Sequence, residues 1–113
     1  PKPVYDIGYS DIRLGDLDDR GEQLRPDIVW FGEAVPMIEP AAEIVSECDI
    51  LLVIGTSLVV YPAAGLVNYV RNGVPLYLVD PKPIHVGYKY YTQIQDVATA
   101  GMRRFLDLVP SLK

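Results

Sequence analysis

An uninterrupted apolar run, Ile50-Leu51-Leu52-Val53-Ile54, ends abruptly at Gly55-Thr56-Ser57. A run without polar alternation predicts a strand covered on both faces, as in parallel sheets. Ile28 to Phe31, ended by Gly32, and Leu76 to Val79, closing at Asp80-Pro81, have the same character and predict two more buried strands. Helical stripes lie between and after these runs. From Pro40 to Cys48, the residues Ala41, Ile44, Val45 and Cys48 share one face, with Glu43 and Glu47 outward. Pro62 suits the first turn of a second helix, with Ala63, Leu66, Val67 and Val70 inward and Asn72-Gly73 as its stop. After a Tyr-rich loop, Asp96 is placed to cap a last helix. Its stripe is Ala98, Met102, Phe105, Leu106 and Val109, with Arg103, Arg104 and Asp107 facing out.

The order strand, helix, strand, helix, strand, helix predicts an α/β fold with a parallel sheet and right-handed crossovers. That is half of a doubly wound nucleotide-binding architecture, with at least one long edge lacking its partner. Residues 1–24 differ from the rest. Tyr5, Ile7 and Tyr9 alternate only briefly, and Asp16, Asp18, Asp19 and Gly21 suggest an exposed loop. Asp16, Asp18 and Gly21 match part of a calcium loop, but Arg20 occupies a ligand position and no flanking helices are evident. A solvated loop is the expectation.

At 113 residues the chain is one small domain or a piece of one, and a residue content 50% hydrophobic and 22% charged is globular. The net charge of −5 argues against a nucleic-acid binder, which needs clustered Lys and Arg. It leaves a nucleotide site open, because backbone N–H groups can hold phosphates. Cys48 and His85 are the sole cysteine and histidine, so neither an internal disulfide nor a four-ligand zinc site can form. No apolar run reaches membrane-span length and no cleavable leader is visible, so a cytoplasmic protein with no membrane partner is expected. The chain opens on Pro1, so a native start further upstream is also expected.

In open α/β sheets ligands bind beyond the carboxyl ends of the strands, where Gly32-Glu33, Gly55-Thr56-Ser57 and Asp80-Pro81 fall. Gly55 permits close backbone approach, and the Thr56 and Ser57 hydroxyls can bond a phosphate or ribose. The same triplet can equally turn the chain and cap a helix. Asp80 can accept from ribose hydroxyls, or simply start a turn before Pro81.

Two longer stretches narrow the choice. Gln23 to Pro36, QLRPDIVWFGEAVP, resembles the segment that follows the zinc module in sirtuins, the NAD-dependent protein-lysine deacylases. Asp49 to Ala64, DILLVIGTSLVVYPAA, resembles the sirtuin segment that holds the dinucleotide, and the two occur in family order. The resemblance implies the second half of a Rossmann-like doubly wound parallel sheet at 25–113, preceded at 1–24 by a remnant of the small domain.

The resemblance further implies roles. Gly55, Thr56 and Ser57 contact NAD. Asp80 stands where the family usually has Asn, so it can accept from ribose but not donate when ionised. Ile94 matches the position against the adenine. Val29 and Phe31 match the apolar tunnel for the acyl-lysine side chain, while also reading as core. Gly32 and Glu33, with Leu58, Val59 and Val60, match the segments that sandwich an extended acylated peptide by main-chain pairing.

Two family features are missing. The zinc cysteines are replaced by Asp16 to Glu22, so no zinc is expected. The general-base histidine lies upstream of the zinc module in sirtuins, together with a Gly-Ala-Gly turn, and neither is present here. His85 lies downstream, before Val86, and is expected to be a surface residue. In the family reaction the acyl oxygen attacks the ribose carbon as nicotinamide leaves, and the histidine then acts as base. The expectation is therefore a C-terminal portion of a deacylase, inactive alone, whose partners are an acyl-lysine peptide and the missing N-terminal half. Self-association through a bare sheet edge is expected as well. The alternative is a non-catalytic module that binds NAD or ADP-ribose or pairs with a partner. An upstream reading frame encoding the Gly-Ala-Gly turn and a His-Gly would separate the two.

Overall fold

Leu76 to Val79 forms the central strand of a three-stranded parallel sheet in the computed structural model, which describes residues 2–87 and 89–112. The strands are β1 (Leu51–Ile54), β2 (Leu76–Val79) and β3 (Thr92–Ile94), in spatial order β1-β2-β3. Leu51 pairs in register with Leu76 and Ile54 with Val79, while Val79 also pairs with Ile94. The helices are α1 (Ile38–Glu47) and α2 (Ala98–Leu108), and a 3₁₀ segment spans Ala63–Tyr69. The fold is α/β with a parallel sheet, as the apolar runs predict.

Strand alternation sorts the core into two layers. On one face Leu76 and Leu78 pack with Val67, Ile84 and Val86, flanked by Leu51, Val53, Leu58 and Tyr91. On the other, Val79 packs with Ile94 and Phe105, flanked by Ile50, Leu52, Tyr77, Met102 and Leu106. Leu78 and Val79 are each 1% exposed, and burying such a side chain contributes about 1.5–3 kcal/mol. The Tyr77 and Phe105 rings meet edge-to-face at 5.0 Å, tying β2 to α2.

Several expectations change. Ile28–Phe31 is not a strand, and all four residues are exposed, Phe31 at 93%. Apolarity was its only strand signal, and its unit provides no sheet to join: among the described residues of 1–34 the one ladder is the single bridge Leu17–Gln23. The third strand is instead β3, inside the Tyr-rich stretch. Gln93 disguises it, since a polar residue at the centre of so short a strand breaks the apolar pattern. That amide serves the crossover. Its Oε1 accepts from Ile84 N at 3.0 Å, and its Nε2 donates to the carbonyls of Asp80 (3.3 Å) and Lys82 (3.2 Å). The connection from β2 to β3 therefore needs no helix, because Ile84 and Val86 cover the sheet face themselves.

The second helix is a 3₁₀ segment. Its buried residues are Ala64 and Val67, with Val70 following, a spacing of three that replaces the expected Ala63, Leu66, Val67 and Val70 face. In α1, Val45 is buried and Ala41 and Cys48 are half-buried, but Ile44 is 71% exposed. α1 packs chiefly on the 3₁₀ segment, so only a narrow stripe is covered. Arg71 satisfies its C-terminal carbonyls, reaching Cys48 O at 3.0 Å and Glu47 O at 3.5 Å. Finally, β1 is an edge strand and only partly covered, not enclosed on both faces.

Val97, not Asp96, stands at the N-cap of α2. Asp96 instead accepts from Val97 N at 2.8 Å and reaches Arg104 at 3.5 Å. α2 lies close to β2 because Gly101 presents no side chain to Val79, whose Cγ1 occupies the place a Cβ would take.

The chain divides into two compact units, 1–34 and 35–113. The stretch from Leu24 to Glu33 is held in the first unit by Leu24 N to Asp16 O (2.7 Å) and by an Arg25–Glu33 ion pair. In the acidic loop, the Asp18 side chain is 7% exposed and accepts from the N–H groups of Glu22 (2.9 Å) and Arg20 (2.8 Å). The Glu22 N–H above all, with the Arg20 N–H and guanidinium, holds Asp18 below the usual carboxylate range against an opposing desolvation. Its lone pairs serve the loop itself. Among the described residues, no helix is long and apolar enough to cross a membrane.

Candidate functional site

The carboxyl ends of the three strands lie side by side, because Ile54, Val79 and Ile94 are in register. Gly55 follows Ile54. Its N–H donates to Val79 O at 3.0 Å, which fastens it to the sheet before the chain turns away. Its φ is +70°, so an L side chain would be strained there, and an added Cβ would meet nothing within 4 Å. The glycine is required by backbone conformation, and the space beyond it is open.

Thr56 and Ser57 are exposed. Thr56 Oγ1 accepts from Leu58 N at 3.2 Å, and one accepted bond leaves the hydroxyl proton to donate elsewhere. Leu58 has φ 57°, the only positive value outside glycine among the described residues. A left-handed conformation costs a branched residue roughly 1–2 kcal/mol. Its side chain packs against the first core cluster, whereas Val59 and Val60 are exposed. Val60 O accepts from Ala64 N at 2.9 Å, starting the 3₁₀ segment.

Asp80 follows β2 on the same edge as Gly55. Its Oδ1 accepts from Lys82 N at 2.8 Å, so the carboxylate does start the turn before Pro81. Its main chain is held by Asp80 N to Ile94 O at 3.2 Å. The structure thus places Gly55 and Asp80 at the neighbouring ends of β1 and β2. Ile94 ends β3 beside them, but its side chain is 2% exposed within the second core cluster and has no surface to offer an adenine. The open glycine turn and the two exposed hydroxyls form a donor set suited to a phosphate or ribose.

In the first unit, Gly32 turns the chain with φ +85°, and Glu33 N donates to Trp30 O at 3.1 Å. Glu33 is engaged internally. Its carboxylate accepts from both terminal nitrogens of Arg25, at 3.2 and 3.0 Å, and from Trp30 N at 3.0 Å. The Arg25 hydrogen bonds, with the Trp30 N–H second, hold Glu33 below the usual range, and Glu33 raises the Arg25 guanidinium in turn. Val29 and Phe31 are exposed, not core. Neither Leu58 nor Arg25 was legible as an organiser. A left-handed leucine has no sequence signal, and two opposite charges in a loop have no periodicity.

His85 is exposed on the crossover between β2 and β3, as expected of a surface histidine. A concavity of about 510 Å³ opens at the opposite, amino end of β2 and β3, between Val70 to Leu76 and Lys89 to Thr92, away from Gly55 and Asp80.

Residues 9–62 match the model of the Sir2 family. An NAD-dependent protein deacylase of Helicobacter pylori is 41% identical over 103 residues, covering 91% of this chain and 44% of that protein. An NAD-dependent protein deacylase of Bacteroides thetaiotaomicron is 58% identical over 74 residues, covering 66% and 32% respectively. Among solved structures, a Sir2 homologue in complex with ADP-ribose superposes with TM-score 0.75 at 31% identity, over 92% of this chain and 45% of that one. Sir2Tm bound to a propionylated peptide gives TM-score 0.71 at 30% identity, over 90% and 44%. The chain spans less than half the length of these relatives. Sequence, fold and strand-end geometry agree, and the chain belongs to the Sir2 family.

Proposed function

We propose that this chain is the C-terminal part of an NAD-dependent protein-lysine deacylase. It supplies nucleotide and peptide contacts but no general base. Gly55, Thr56, Ser57 and Asp80 would face the dinucleotide, and Val29, Phe31, Gly32, Glu33, Val59 and Val60 the acyl-lysine peptide, with Leu58 contributing main chain only. NAD supplies the ribose carbon that takes the acyl group. This chain's residues bind and orient. The Thr56 and Ser57 hydroxyls donate to ribose or phosphate oxygens, the Asp80 carboxylate accepts from a ribose hydroxyl, and exposed Val29 and Phe31 shield a methylene chain from water.

The observation that carries the reading is the left-handed, side-chain-free turn at Gly55, fastened to β2 and followed by two exposed hydroxyls at the ligand-binding edge of a parallel sheet. The binding of ADP-ribose and of a propionylated peptide by Sir2 relatives of the same fold supports both arms. The lack of a base rests on the sequence. A general base must come within hydrogen-bond reach of its proton. The sole histidine, His85, lies on the crossover between β2 and β3 and does not match the family's catalytic position. The N-terminal half of such an enzyme is then the natural partner of this chain.

Titration of the isotopically labelled chain with ADP-ribose tests the nucleotide arm. The amides of Gly55, Thr56, Ser57 and Asp80 should shift together, and Thr56→Ala with Ser57→Ala should weaken binding. Shifts confined to the concavity between Val70 and Thr92 would contradict the assignment.

A further inference from the structure

Between exposed Ser57 and exposed Val59 a single side chain is drawn inward. Leu58 packs against the core cluster of Val67, Leu78 and Val86, and lines a hollow of about 200 Å³ with Tyr61 and His85. Its backbone is left-handed at φ 57°, and its N–H is taken by Thr56 Oγ1 at 3.2 Å. A branched residue keeps such a conformation only where its surroundings over-determine it. Here two features do so, the threonine hydroxyl on one side and the apolar anchor on the other. A glycine would make the turn freely and anchor nothing. The residues on either side of Leu58 depend on it unequally. Gly55 is already fastened to β2 through Val79 O, upstream of the turn. Val59 lies downstream, exposed, and Val60 is exposed as well, its carbonyl starting the 3₁₀ segment.

We infer that Leu58 is the positioning residue of the 55–60 loop, holding Val59 and Val60 outward for an extended acyl-lysine peptide while leaving the nucleotide segment to β1. This rests on the deacylase reading of the loop. Leu58→Ala removes the anchor and keeps the left-handed cost, and Leu58→Gly removes both. In thermal unfolding of the 113-residue chain, the glycine variant should be at least as stable as the alanine variant. The reverse order would mean that Leu58 is not left-handed and would overturn the inference.

Both variants should lose about tenfold or more in affinity for an acetyl-lysine peptide, as displaced binding segments do. ADP-ribose affinity should fall by less than peptide affinity, because Gly55 is fastened to β2 through Val79 O upstream of the turn. Equal losses for both ligands would make Leu58 merely structural and overturn the inference, as would unchanged peptide affinity. A wild-type chain that binds ADP-ribose but no peptide would overturn the inference together with the peptide arm of the proposed function. Failure in the variants alone overturns only the inference.

Discussion

Arg25 grips Glu33 at two points, Nη1 to Oε1 at 3.2 Å and Nη2 to Oε2 at 3.0 Å, and so closes the apolar segment 28–31 between them into a turn. The carboxylate also accepts from Trp30 N, so it binds the turn from inside. Glu33 is lowered from its ordinary value, first by Arg25 and then by Trp30, which means that the folded state prefers the ionised form. Its contribution to the turn is complete above the ordinary glutamate range. It is lost as pH falls through the lowered folded value. A pH titration followed at the Glu33 carboxyl and the Trp30 amide should give one shared midpoint, lower than the Glu33 midpoint in Arg25→Ala. Equal Glu33 midpoints in the two proteins would contradict the ion pair.

Gly101 is required by close packing rather than by backbone conformation. It is helical, so Gly101→Ala should by propensity stabilise α2 by up to about 1 kcal/mol. A Cβ there collides with Cγ1 of Val79, a β-branched side chain 1% exposed that cannot swing aside. Overpacking of this kind costs about 1–3 kcal/mol and wins. Gly101→Ala should lower stability by roughly 1–2 kcal/mol in denaturant unfolding. The same change made on a Val79→Ala background should be neutral or favourable. Destabilisation of equal size in both backgrounds would place its cause elsewhere.

β1 pairs with β2 on one side and with no strand on the other among the described residues. Such an edge is a template for another strand. The isolated chain should therefore show concentration-dependent sedimentation, and Ile54→Lys, at the half-exposed end of β1, should weaken it. A strictly monomeric profile at high concentration would rule out pairing through this edge.

Much of the sheet was legible, and the exceptions have physical causes. Leu76 to Val79 reads as a buried strand because both its faces are covered, and β2 spans those residues. Ile28 to Phe31 reads the same way, but apolarity reports a side chain's preference and not whether anything covers it. β3 was hidden because Gln93 spends its amide on the crossover carbonyls, making a strand look like loop. The apolar residues of the 3₁₀ segment fit a helical period of 3.6 in sequence, but Ala64, Val67 and Val70 are buried at a period of three. Gly55 was legible as a turn because the apolar run stops there, and its φ of +70° is that of a turn glycine. Leu58 was not, since its left-handed backbone follows from core packing three-dimensionally beneath it. Ile94 shows the same limit from the other direction, as a position matched by resemblance whose side chain belongs to the core.

The most direct test is NAD-dependent removal of an acetyl group from a lysine peptide, measured for the chain alone and after co-expression with the N-terminal half of the Helicobacter pylori relative. No turnover alone and turnover on reconstitution, weakened by Thr56→Ala with Ser57→Ala, is the expected result. Turnover by the 113-residue chain alone would contradict the assignment of the general base to another segment. A reconstituted complex that binds ADP-ribose but remains inactive would contradict the deacylase reading itself.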